Sequence, residues 1–173
     1  MRAFIAIEVP HSIREKIKKI QDELPGEGLK HVEEENLHIT LKFLGEIDES
    51  KAREIKNIIG SIKFSPFEVN CMGVGVFPNE KYIRVVWVGV ESNGILEKLA
   101  EELNDKLEKI GFLTAKEKFT SHLTIARVKR KVDLHTFIPK HKNDFFGQFT
   151  VMEGDIKLKK STLTPKGPIY EDL

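Results

Sequence analysis

One cysteine, Cys71, in 173 residues leaves no partner for an intramolecular disulfide and too few thiols for a Cys-rich metal site. A lone thiol of this kind suits a reducing compartment and reads as a small buried apolar residue. Excess charge is lacking too: 28 Lys and Arg face 27 Asp and Glu, for a formal net charge of +1. No global field marks a nucleic-acid binder, and any basic surface must be local. No apolar run approaches the length of a membrane span. The N-terminal run Ala3 to Ile7 is too short for a signal peptide, so the chain is expected in the cytoplasm and off the membrane. A phosphate-cradling glycine loop is missing: Gly73 and Gly75 lack the Lys-Ser/Thr ending of a nucleoside-triphosphate site, which removes support for ATP dependence. The six histidines show no His-Glu-x-x-His or comparable ligand spacing, so neither a metal nor a cofactor is expected.

What the chain does have is one tetrapeptide pattern written twice. His38-Ile39-Thr40-Leu41 and His122-Leu123-Thr124-Ile125 stand 84 residues apart, close to half the chain. Each alternates like a strand, with His and Thr on one face and the apolar pair on the other. One copy alone would be an ordinary core strand with a satisfied histidine. Two matched copies facing each other would bring two imidazoles and two hydroxyls into one cleft. Such a set can break a phosphodiester without metal. One imidazole takes a proton, the other gives one, and the hydroxyls donate to the non-bridging phosphate oxygens.

The surrounding pattern predicts a strand over 2–9 and a helix capped by Ser12, with Ile13, Ile17, Ile20 and Leu24 inward. A short strand at 29–32 and the first motif strand at 36–44 follow, then a helix capped by Asp48. Strands 67–77 and 82–90 form a hairpin, and Ser92 or Asn93 opens the longest helix, which stops at Gly111. The second motif strand, 121–128, precedes a strand pair, 148–152 and 155–162, turning at Glu153-Gly154. The fold class expected is α+β: a bilobal pseudo-twofold duplication of two antiparallel sheets with outer helices and a central cleft. Residues 1–173 are read as a single such domain. Outside the motifs the halves share negligible identity, so the duplication is inferred from pattern.

Arg2-Ala3-Phe4-Ile5-Ala6-Ile7, His38 to Gly45, His122 to Arg127 and Gly167-Pro168-Ile169-Tyr170 together resemble the RNA 2′,3′-cyclic phosphodiesterases, also called 2′-5′ RNA ligases, of the two-histidine phosphoesterase superfamily. The resemblance covers essentially the whole chain. It implies metal-free hydrolysis of a terminal RNA 2′,3′-cyclic phosphate to a 2′-phosphate, and in some members the joining of tRNA halves by the reverse reaction. By the same resemblance His38 protonates the departing 3′ oxygen, His122 activates water, and Thr40, Thr124 and Arg127 hold the phosphate. RNA termini are the implied partner, and a monomer is the expected state. One departure is visible: Ser121 stands where the family usually has proline before the second His.

Parity complicates two basic residues. Arg127, five beyond His122, points off the cleft on a regular strand and needs a bulge to reach it. Lys42, four beyond His38, faces the cleft by parity, but reads better as a solvated strand-end lysine. Phe4 is either a base-stacking ring or core, Tyr170 either reaches the cleft or staples the tail, and Lys129-Arg130-Lys131 is either an RNA-backbone contact or a solvated turn. His11, His31, His135 and His141 read as surface residues. Two other functions compete: a phosphodiesterase for a small cyclic nucleotide or a 2′-5′ oligoadenylate, and a module that grips RNA ends without turning them over.

Overall fold

The computed structural model describes residues 1–114 and 118–173. Strand β1 (Arg2–Glu8) leads into α1 (His11–Gln21), β2 (Leu29–His31) and the first motif strand β3 (His38–Glu46). Next come α2 (Glu49–Ser61), the hairpin β4 (Phe67–Asn79) and β5 (Tyr82–Glu91), then α3 (Ile95–Glu108). The second motif strand β6 (His122–Val128) is followed by α4 (Phe137–His141), β7 (Phe145–Val151), β8 (Ile156–Thr164) and β9 (Gly167–Asp172). One sheet has the order β3-β1-β8-β9 and the other β2-β6-β5-β4-β7, with every pairing antiparallel.

The lobes are not the chain halves. Strands β2 and β4 of the first half sit in the second sheet, while β8 and β9 of the second half complete the first. Helices cross over as well: α1 and α4 pack on the second sheet, and α2 and α3 on the first. The strands predicted as a pair around Glu153-Gly154 therefore part company. β7 joins β4, while β8 joins β1, although the turn between them closes with Asp155 N–H on the Met152 carbonyl at 3.0 Å.

Local chemistry explains most element ends. Asp48 caps α2, its carboxylate accepting from Lys51 N–H at 2.8 Å, a contact worth about 1 kcal/mol. Ser12 does not cap α1; the proline ring fixes Pro10 at φ −58°, and its carbonyl accepts from Ile13 and Arg14 N–H at 3.1 Å, so the helix starts two residues earlier. Ser92 does serve α3, accepting from Leu96 N–H at 3.0 Å, with Gly94 at the cap position itself. The core is built by the inward sides of both motif strands and the helices: Ile39, Leu41, Leu123 and Ile125 join Ile5, Ile7, Ile17, Ile55, Leu103 and Leu107. Cys71 is fully buried, as its solitude suggests, and burial pushes its thiol up to about 12.

Candidate active site

Burying Ile39 and Leu41, and in the other sheet Leu123 and Ile125, turns His38, Thr40, His122 and Thr124 to the opposite faces. β3 and β6 lie in contact across the two sheets. Tyr170 of β9 marks the convergence. Its ring is 5.5 Å from that of His38, and it is near enough to Arg127 of the other sheet for the guanidinium to act on its phenol.

The two histidines are held alike. His38 Nδ1 lies 2.9 Å from the Asn36 carbonyl, and His122 Nδ1 lies 2.7 Å from the Thr120 carbonyl, two residues back in each case. A carbonyl only accepts, so each Nδ1 carries the hydrogen and each Nε2 is left with its lone pair. Neither Nε2 nor either threonine hydroxyl has a hydrogen-bond partner among the described residues. Each ring also stands edge-on to a phenyl: Phe4 at 6.1 Å from His38, Phe77 at 5.0 Å from His122. Tyr170 backs Phe4 and Trp87 backs Phe77, at 4.8 and 5.4 Å. Phe4 is thus a wall of the His38 site, 5% exposed, and is too deeply placed to stack on a base.

A bulge in each motif strand settles the parity of the basic residues. In β6, Trp87 pairs with Thr124 but Val86 pairs with Ala126, so Ile125 is the extra residue. Arg127 thereby regains the Thr124 face. In β3, Ala6 pairs with Thr40 and Ile5 with Lys42, so Leu41 is extra. Lys42 leaves the cleft face, in line with the strand-end reading, and its Nζ donates to the Leu113 carbonyl at 2.8 Å. Exposed Phe43, five beyond His38, is the positional counterpart of Arg127, so the cleft is aromatic at one end and cationic at the other.

His38 and His122 differ in their surroundings. His38 is 8% exposed, and burial first, then the nearby Lys159 ammonium, push its pKa down to about 4 against the pull of the Asn36 carbonyl, Glu8 and Asp172. Folding therefore favours the neutral ring. The associated stability is whole above the unfolded value near 6.5 and is lost as pH falls from there towards 4. Urea unfolding at pH 7 and pH 4.5 should show His38→Gln losing less stability on acidification than wild type, by roughly 2 kcal/mol.

On the other side of the cleft, Trp87 lies flat on Gly75. A Cβ there would meet the indole Cζ2 well inside contact distance. Gly75→Ala should displace Trp87 and Phe77 from beside His122 and cost about 1–3 kcal/mol, the range for overpacking. Trp87 is the sole tryptophan, so its emission and a thermal melt read the change directly.

Three other histidines meet carboxylates. His11 lies near Glu15 and Glu34, and His135 bonds Asp133. His141 is not at the surface: it is 4% exposed, with Nδ1 2.6 Å from Asp144 and Nε2 3.1 Å from Glu23, joining α4 to the end of α1. Ser121, in the place of the family's proline, ties the start of β6 to α3 by donating to Glu97 Oε1 at 2.7 Å. A cavity of about 940 Å³ lies apart from both motif histidines, between the β4–β5 hairpin and α4, with Val74, Tyr82, Ile138 and Lys142 among its walls.

Each motif strand carries one imidazole and one hydroxyl on the face opposite its apolar pair, the pattern of a two-histidine phosphoesterase. The chain belongs to the LigT-like phosphoesterase family, whose profile matches it twice, over residues 7–87 and 88–170. That double match agrees with the inferred duplication. The chain is 49% identical to an Archaeoglobus fulgidus protein named RNA 2′,3′-cyclic phosphodiesterase, over 100% of this chain and 98% of the relative. A Methanocaldococcus jannaschii protein of the same name is 47% identical over 99% and 97%. Among solved structures, a Thermus thermophilus protein superposes with TM-score 0.85 at 31% identity, covering 100% of this chain and 95% of its own. Escherichia coli LigT complexed with 3′-AMP gives 0.83 at 25% identity, covering 99% and 94%.

Proposed function

We propose that the protein hydrolyses the 2′,3′-cyclic phosphate at RNA ends, leaving a 2′-phosphate, with His38 and His122 as acid and base. The observation that carries this reading is the matched pair of Nδ1–carbonyl bonds. Each fixes a tautomer and leaves Nε2 able to exchange a proton with whatever lies in the cleft. The names carried by the relatives give the substrate class.

Water attacks phosphorus in line with the 3′ oxygen. His122 Nε2 takes the water's proton as the P–O bond forms, and His38 Nε2 gives its proton to the 3′ oxygen as that bond breaks. Charge grows on the two non-bridging oxygens, where Thr40 and Thr124 donate, one from each sheet, and Arg127 adds a guanidinium. Acid duty at His38 requires a proton that its burial resists in the free protein. The negative phosphate beside it supplies the attraction that raises its affinity. No step needs metal, ATP or another cofactor. With a 5′-hydroxyl attacking in place of water, the same two rings form a 2′-5′ bond between RNA halves, His122 taking the hydroxyl's proton and His38 giving one to the departing 3′ oxygen. The reaction needs one subunit and no membrane, in keeping with a monomer in the cytoplasm.

Incubating a short RNA ending in a 2′,3′-cyclic phosphate with the protein in EDTA tests the reading. Mass and phosphorus NMR should show one added water and a 2′-monophosphate. A 3′-phosphate, metal-dependent turnover, or tight binding without product would overturn it. Preference for a cyclic mononucleotide over the oligonucleotide would move the substrate to the small-molecule class.

A further inference from the structure

Behind His38 lies an ion cluster that the proposed reaction does not use. Lys159, in the middle of β8, is 3% exposed, an unusual place for an ammonium. Its Nζ donates to Glu8 Oε1 at 2.7 Å and to Asp172 Oδ1 at 2.6 Å, on the strands either side, β1 and β9. The sheet register puts this cluster on the His38 face. Glu8 is the cross-strand partner of His38, while Lys159 pairs with Phe4 on one side and Asp172 on the other. Phe4 and Tyr170, the rings against His38, alternate in register with these charged residues along β1 and β9. To reach Glu8 the lysine stem must run back across Ala6, itself the partner of Thr40. Among the described residues the second lobe has no such cluster beside His122: by register Gly89 stands in the place of Glu8 and Phe77 in that of Lys159.

A cation buried at this depth is costly unless paired, and both of its partners are half in water, at 60% and 53% exposure. Such an arrangement gains little as a stabilising ion pair. Its effect is on what lies nearby.

We propose that Lys159 is a positioning residue for His38: its ammonium, clamped by Glu8 and Asp172, fixes the wall around the ring and sets how readily His38 takes a proton. The charged and titratable groups around His38 are Glu8 on β1, Lys157 and Lys159 on β8, Tyr170 and Asp172 on β9, and His122 and Arg127 on β6 across the cleft. Of these, Lys159 is the buried cation, so it opposes the imidazolium through the least water. The two carboxylates act the other way. The cluster thus makes one histidine of a symmetric pair unlike its twin.

The test reads the ring directly, by nitrogen NMR titration of His38 in the whole protein. Lys159→Met and Lys159→Gln should raise the His38 midpoint by on the order of one pH unit. Glu8→Gln and Asp172→Asn should lower it, Lys159→Arg should restore the wild-type value, and the His122 midpoint should not follow. Simple loosening of the wall would admit water and raise the midpoint in every variant, so shifts of one sign throughout, or none, overturn the proposal. If the Lys159 variants fail to fold, the two half-exposed carboxylate variants decide by the sign of their shift. The consequence for turnover rests on the function proposed above: the limb of the pH–rate profile belonging to His38 should move with its midpoint. A limb that stays fixed while the midpoint moves would sever Lys159 from catalysis. Absence of turnover in wild type would defeat the function reading and leave the titration to judge Lys159 by itself.

Discussion

His122→Ala is expected to lower kcat on a cyclic-phosphate RNA end by about 10²–10⁴-fold, and His38→Ala by a similar factor. Each loss removes one of two proton transfers, and each ring makes one hydrogen bond among the described residues, so folding should be intact by circular dichroism. Residues that act as one device are not additive. The double variant should therefore be little slower than either single one. Wild-type rates in either variant would end the two-imidazole scheme, and a multiplicative double variant would mean that the rings act in separate steps.

The second large effect concerns the hydroxyls. Thr40→Ala and Thr124→Ala should each reduce kcat by on the order of 10²-fold, the loss of one donor to a developing oxyanion. KM should change far less, because the contact strengthens as charge builds on phosphorus. Thr→Ser at either position keeps the donor and should retain most of the rate. Steady-state kinetics on the same RNA would measure both constants. A rise in KM alone would make the threonines ground-state grips.

Much of this site was legible before any coordinates. Two histidines and two threonines at strand spacing, each flanked by apolar residues, fix their own face, since burying Ile39 and Leu123 leaves no choice for His38 and His122. The bulges were not legible as positions. Arg127 demanded one on parity grounds, but nothing in Leu41 or Ile125 announces an extra residue, and the same device quietly took Lys42 away. His141 was misjudged because its partner Glu23 is 118 residues distant, beyond any local pattern. β9 hid behind Pro168, which an edge strand tolerates where a central one does not. α4 is a five-residue helix with Pro139 inside it, too short for periodicity to register. Strand exchange lay furthest out of reach, because which sheet a strand joins is decided by contacts between distant segments.

That exchange has a consequence for how the protein comes into being. β1 precedes the other strands, yet its neighbour on one side is β8, roughly 150 residues later, and Lys159 and Tyr170 follow most of the core along the chain. Pairings so remote in sequence are slow to close. During synthesis His122 follows Phe77 and Trp87, whereas His38 precedes Tyr170 by most of the chain. The two imidazoles are thus furnished at different times, the wall of His38 being made long after His38 itself.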